Sequence, residues 1–91
     1  MNLNEEQLKE VAEMAGLFFS IEDVADNLEL DQSQLETLQL NMELKTGDFY
    51  KAYRTGWLKS EVKLRKSIEK AAENGSNPAQ QMMLNFQNQS K

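Results

Sequence analysis

Two helix-start signals, at Ser20 and Asp31, stand eleven residues apart and constrain this chain more than any other feature. Ser20 is placed to cap a helix, with Asp23 at the third helical position and Phe19 and Val24 spaced as a hydrophobic staple. Asp31 repeats that grammar, with Gln34 as capping-box partner and Leu30 and Leu35 as the staple. So close a repeat leaves room for one short helix and a tight turn. Ala25 supplies a small residue where two helices cross, Leu28 and Leu30 an apolar turn, and Leu35 and Leu38 an inward face. The segment therefore predicts a helix-turn-helix. Many such motifs carry Gly where this chain has Glu29, so the turn is expected to differ slightly.

The flanking segments read as helices too. Asn4 and Gln7 form a capping box, Leu8, Val11, Ala12 and Ala15 recur at helical spacing, and Gly16 is expected to end the run as its C′ residue. Leu17 and Phe18 would help close a three-helix core. Leu35, Leu38 and Met42 share one face of the third helix, which Gly47 is expected to break. A long helix should run from Asp48 to Asn74 with Gly75 at C′, and Asn77 should cap a last helix from Pro78 to Gln87. Ala79, Met82, Met83 and Phe86 fall on one side of it, and the short loop before it predicts an antiparallel hairpin. The expected architecture is all-α. A tri-helical helix-turn-helix head occupies residues 1–46, a long helix and a short helix form a hairpin over 47–88, and residues 89–91 are a frayed tail.

Composition narrows the chemistry. Ninety-one residues can support one modest core. With no Cys and no His, disulfides, thiolate metal sites and the commonest general base are excluded. Asp23, Asp26, Glu29 and Asp31 lack the loop spacing and glycine of an EF-hand, and no Gly-rich phosphate loop is present. No catalytic constellation stands out, so no enzyme, cofactor or metal is expected. The polar start has neither the basic nor the apolar region of a secretory signal, and no apolar run reaches membrane-spanning length. The expectation is a soluble cytoplasmic protein.

The net charge of −5 conceals an uneven distribution. Residues 1–48 hold twelve Asp or Glu against Lys9 and Lys45, a balance of −10. Residues 49–91 hold eight Lys or Arg against Glu61, Glu69 and Glu73, a balance of +5. On the third helix Gln32, Ser33 and Thr37 are the exposed residues able to read base edges. That helix opens with Asp31, carries Glu36 and has no cation before Lys45, which opposes phosphate binding. Positive charge lies on the fourth helix. There Lys59, Lys63, Lys66 and Lys70 fall within about 60° of one another on a helical wheel. This stripe is either a solvated face or a surface for phosphates or for a neighbour's acidic head. Phe49, Tyr53, Trp57, Leu64 and Ile68 occupy the roughly opposite arc. With Met82 and Phe86 they form more apolar surface than one short helix covers, which points to a homo-oligomer.

The stretch Asp48-Phe49-Tyr50-Lys51-Ala52-Tyr53-Arg54-Thr55-Gly56-Trp57-Leu58, followed by Glu61-Val62-Lys63-Leu64-Arg65-Lys66-Ser67-Ile68, resembles small terminase subunits of tailed bacteriophages. So does Asn74-Gly75-Ser76-Asn77-Pro78-Ala79-Gln80, and the resemblance spans about residues 17 to 86. It implies a helix-turn-helix head, a hairpin that assembles a ring, and recognition of double-stranded viral DNA for packaging. It also implies delivery of that DNA to a large ATPase subunit, in the cytoplasm of a bacterial host. Carried over by position, Gln32, Ser33 and Thr37 become groove-facing residues and the hairpin the oligomerisation element. The acidic head departs from a simple DNA reader, and a ring could offset this by presenting many weak sites to one duplex. Two other readings stay open: a helix-turn-helix transcriptional regulator, and an acidic adaptor that binds protein and no DNA.

Overall fold

The structure, a computed structural model, describes residues 2–89, and these contain five α-helices and no strand. They are α1 (Glu5–Gly16), α2 (Ile21–Asn27), α3 (Gln32–Leu44), α4 (Gly47–Glu73) and α5 (Asn77–Gln89). The all-α class follows from the punctuation of the sequence. Asn4 Oδ1 accepts from the Gln7 amide at 2.8 Å while Gln7 Oε1 accepts from the Asn4 amide at 2.9 Å. Asp31 and Gln34 make the same reciprocal pair at 2.8 and 3.0 Å. Ser20 makes only the forward half, accepting from the Asp23 amide at 3.1 Å. Each cap satisfies an otherwise orphaned donor and contributes about 1 kcal/mol.

The helix ends depart from expectation in an informative way. Four of them close with the same pair of backbone bonds, from the C′ amide to C2 and from the C″ amide to C3. After α1 these run from Phe18 to Ala15 (2.9 Å) and from Phe19 to Met14 (3.1 Å). After α2 they run from Glu29 to Asp26 and from Leu30 to Ala25, both 3.0 Å. After α3 they run from Lys45 to Met42 and Thr46 to Asn41, and after α4 from Gly75 to Ala72 and Ser76 to Ala71. The geometry needs a left-handed residue at C′. Only α4 places glycine there, Gly75 at φ 94°, whereas Phe18, Glu29 and Lys45 adopt φ of 65°, 58° and 57°. Glu29 thus takes the left-handed conformation that glycine adopts most readily.

Four expected boundaries are corrected. Gly16 is the last residue of α1 and not its C′ residue. It is small because α4 passes close by: a Cβ there would lie 2.7 Å from Ser60 Oγ and 3.3 Å from the Gly56 carbonyl oxygen. Gly47 opens α4, while α3 has already ended at Leu44 with Lys45 left-handed. Asn77 is the first residue of α5, not its cap. Ser76 takes that position, its Oγ accepting from the Ala79 amide at 3.4 Å. α5 also continues past Gln87 to Gln89, and Ser90 and Lys91 lie outside the described residues.

The chain divides into two compact units, residues 1–60 and 61–91, with the boundary inside α4. In the first, Val11, Val24, Ala25, Leu38 and Phe49 form the buried core. Met14, Ile21, Leu28, Leu30, Leu35, Met42 and Tyr53 pack partly buried around it. Val11, Val24 and Leu38 are fully excluded from solvent, each contributing about 1.5–3 kcal/mol. A Cβ on Gly56 would run into the Ala12 carbonyl oxygen and come within 2.7 Å of Ala12 Cα, so glycine lets α1 and α4 cross in contact.

In the second unit, Ala79 is the one buried residue among those described. Gln80 Nε2 donates to the Ala72 carbonyl at 3.0 Å, and the Arg65 guanidinium stands 4.2 Å above the Phe86 ring. Arg65 Nε also pairs with Glu61 Oε1 at 3.0 Å.

Candidate nucleic-acid interface

Because Leu38 turns fully inward, the opposite side of α3 faces solvent. Gln32, Ser33 and Thr37 are all exposed there. Their polar groups are partly engaged within the helix. Thr37 Oγ1 donates to the Ser33 carbonyl at 3.1 Å, and Gln32 Nε2 reaches Glu36 Oε1 at 3.4 Å. The same face holds two residues that sequence reading passed over, Leu40 at 51% and Leu44 at 59% exposure. Glu36 and Glu43 are exposed beside them, and no basic residue lies in the last turn of α3. A wheel of α3 alone would have revealed them, because Leu40 and Leu44 fall off the Leu35–Leu38–Met42 stripe.

The four lysines of α4 do not form one setting. Lys59 belongs to the first compact unit, where it lines a mostly apolar groove with Lys9, Glu13 and Leu17. Lys63, Lys66 and Lys70 belong to the second unit and are exposed. They lie about 100–160° around the helix from Arg65, whose side chain meets α5. Among the described residues the one ion pair is Arg65–Glu61, so the three lysines carry uncompensated charge.

The expected oligomerisation residues divide in the same manner. Phe49 is 3% exposed and sits in the core of the first unit, so it cannot serve as an intersubunit surface. Tyr53 packs against that core, with ring centroids 5.9 Å from Phe49, and donates its hydroxyl to the Phe19 carbonyl at 2.6 Å. Burial, and secondly the Glu22 carboxylate, push the Tyr53 phenol above its ordinary value of 10.0. Trp57 is half-buried, meets Phe18 edge-to-face at 6.0 Å, and lies 5.3 Å beneath the Arg54 guanidinium. These aromatics are largely used within their own unit. Ile68 and Phe86 are half-buried in the second unit, whereas Leu64 and Met82 are each 47% exposed.

Among the described residues no group of acidic side chains is gathered in a way that could hold a metal ion, and no helix is long and apolar enough to cross a membrane. No protein family matches the chain, and neither does any characterised protein or solved structure.

Proposed function

We propose that this chain is a non-enzymatic, DNA-binding and self-associating subunit of the small-terminase kind. In this reading it gathers double-stranded DNA at the start of packaging and presents it to a large ATPase partner. α1, α2 and α3 are then a tri-helical head with α2 and α3 as its helix-turn-helix. Left-handed Glu29, buried Ala25 and inward Leu38 support that reading. α4 and α5 are an antiparallel hairpin, supported by contacts that run from Gln80 at Ala72 to Phe86 at Arg65. Exposed Leu64 and Met82 provide apolar surface for self-association.

The observation that carries the DNA reading is the unpaired, exposed row Lys63, Lys66 and Lys70. Three phosphate contacts per subunit bind weakly, but several subunits on one duplex multiply them. The head does not serve as a separate reader, because α3 offers leucines and carboxylates where phosphate binding needs cations. That face counts against a dimeric transcriptional regulator. It favours, as a second reading, an adaptor that binds protein and no DNA.

Filter binding of duplex DNA at low salt tests the proposal. Wild type should retain duplex with an affinity that falls steeply as salt rises. Lys63→Glu/Lys66→Glu/Lys70→Glu should lose retention while keeping its helical circular dichroism. Retention by the triple variant would overturn the lysine row as the DNA site, and no retention by wild type would leave the adaptor.

A further inference from the structure

We propose that the outward face of α3 is an intersubunit contact. Leu40 and Leu44 of one copy seat in the apolar groove between α1 and α4 of a second copy, and Glu36 and Glu43 face Lys9 and Lys59 on its rim. The inference rests on the self-association in the reading above and adds a surface that reading does not use.

Both halves of the contact lie within the first compact unit. The ridge is Leu40 and Leu44, one helical turn apart and more than half exposed, bordered by Glu36 and Glu43. Two adjacent leucines on an otherwise polar helix face are a local apolar patch that a partner would cover. The groove is lined by Ala12, Gly16 and Gly56, where α1 and α4 approach so closely that a Cβ on Gly56 would overlap the Ala12 backbone. These small residues leave a shallow, mostly apolar surface between the two helices. Leu17, 70% exposed, forms an apolar wall.

Charge selects the occupant. The first unit has twelve acidic residues and only five cations, Lys9, Lys45, Lys51, Arg54 and Lys59. Two of those five stand on the rim of this one groove, accompanied by Glu13. Neither lysine is ion-paired among the described residues. An apolar ridge flanked by carboxylates is the complementary surface, and α3 of another copy supplies it. Nucleic acid does not fit the ridge, which would bring carboxylates and leucines against phosphate. An anionic membrane surface fails for the same reason. Ridge and groove are different surfaces of one unit, so the contact either closes reciprocally in a two-fold dimer or propagates around a ring or along a filament.

The test is association measured by light scattering or sedimentation over a dilution series of the full chain. Leu40→Asp/Leu44→Asp should raise the midpoint concentration for association about tenfold or more, with thermal stability held, since both side chains are exposed. A charge exchange guards against an indirect effect. Glu36→Lys/Glu43→Lys alone and Lys9→Glu/Lys59→Glu alone should each associate more weakly. A one-to-one mixture should return towards wild type, because each ridge then meets an opposite groove. Unchanged association in the leucine variant, or a mixture no better than its components, would overturn the contact while leaving the DNA reading intact. Wild type that stays monomeric at every concentration would overturn both the contact and the self-association on which it rests. DNA retention by the leucine variant, scored separately, keeps the two failures apart.

Discussion

The two compact units are built from similar helices yet hold together differently. The first surrounds Val11, Val24 and Leu38 completely and adds Ala15, Ala25 and Phe49 beneath its surface. The second excludes only Ala79 among its described residues, and its contacts are a carbonyl-bound glutamine, a stacked arginine and one half-buried ion pair between neighbouring turns of α4. Apolar burial scales with area removed from water, whereas a surface ion pair contributes less than about 1 kcal/mol. Both units leave apolar side chains in water, Leu17, Leu40 and Leu44 in the first and Val62, Leu64, Met82 and Leu84 in the second, but only the first also has a buried apolar cluster beneath them. The difference lies in what holds each unit: the first is organised around its own buried core, and the second around contacts near its surface.

The largest break in this comparison should come from truncating one apolar residue in each unit. Leu38→Ala removes the centre of the first core and should cost about 3 kcal/mol in urea unfolding, against about 1 kcal/mol for Ile68→Ala. Equal costs would mean that the second unit is as well packed as the first. Alanine at two glycines sharpens the contrast. Gly56→Ala forces α1 away from α4 and should cost about 2–3 kcal/mol. Gly75→Ala meets nothing within 4 Å and should cost only the roughly 1 kcal/mol of a left-handed Cβ. Thermal melts of the two variants that coincide would remove the close crossing from the account.

A smaller effect of opposite sign is expected at Glu29, since glycine relieves its left-handed φ of 58°. Glu29→Gly should stabilise the first unit by about 1 kcal/mol, visible as a higher midpoint in denaturant. The smallest effect is titrational. Because folding raises the Tyr53 phenol, the unfolded chain ionises first, near 10.0. The stabilisation is therefore complete below pH 10.0 and is lost as pH rises above it towards the folded value. Absorbance titration should find one tyrosine of the folded protein ionising late, and Tyr53→Phe should abolish that late phase.

Much of the secondary structure was legible because its causes are local. A capping residue bonds an amide three positions away, so Asn4, Ser20 and Asp31 announce their helices whatever the rest of the chain does. Helix ends were harder. The left-handed C′ position was expected at glycine, yet Phe18, Glu29 and Lys45 fill it, because the closing bonds and the packing around each turn outweigh the local preference.

The candidate surfaces were legible only in part. The amino-acid sequence determined that α3 would lack cations and that α4 would carry a row of lysines, since composition and helical period suffice for both. Periodicity also indicated which side of each helix is apolar. It could not say which apolar residues the chain would consume itself. Packing decided that Phe49 lies in the core while Leu40, Leu44, Leu64 and Met82 remain in water. It also decided that Gly16, the last residue of α1, and Gly56 sit where α1 and α4 cross, and that Gly16 is not the left-handed C′ residue. The reason is physical: a cap is set by neighbours in sequence, whereas exposure is set by whatever another helix covers.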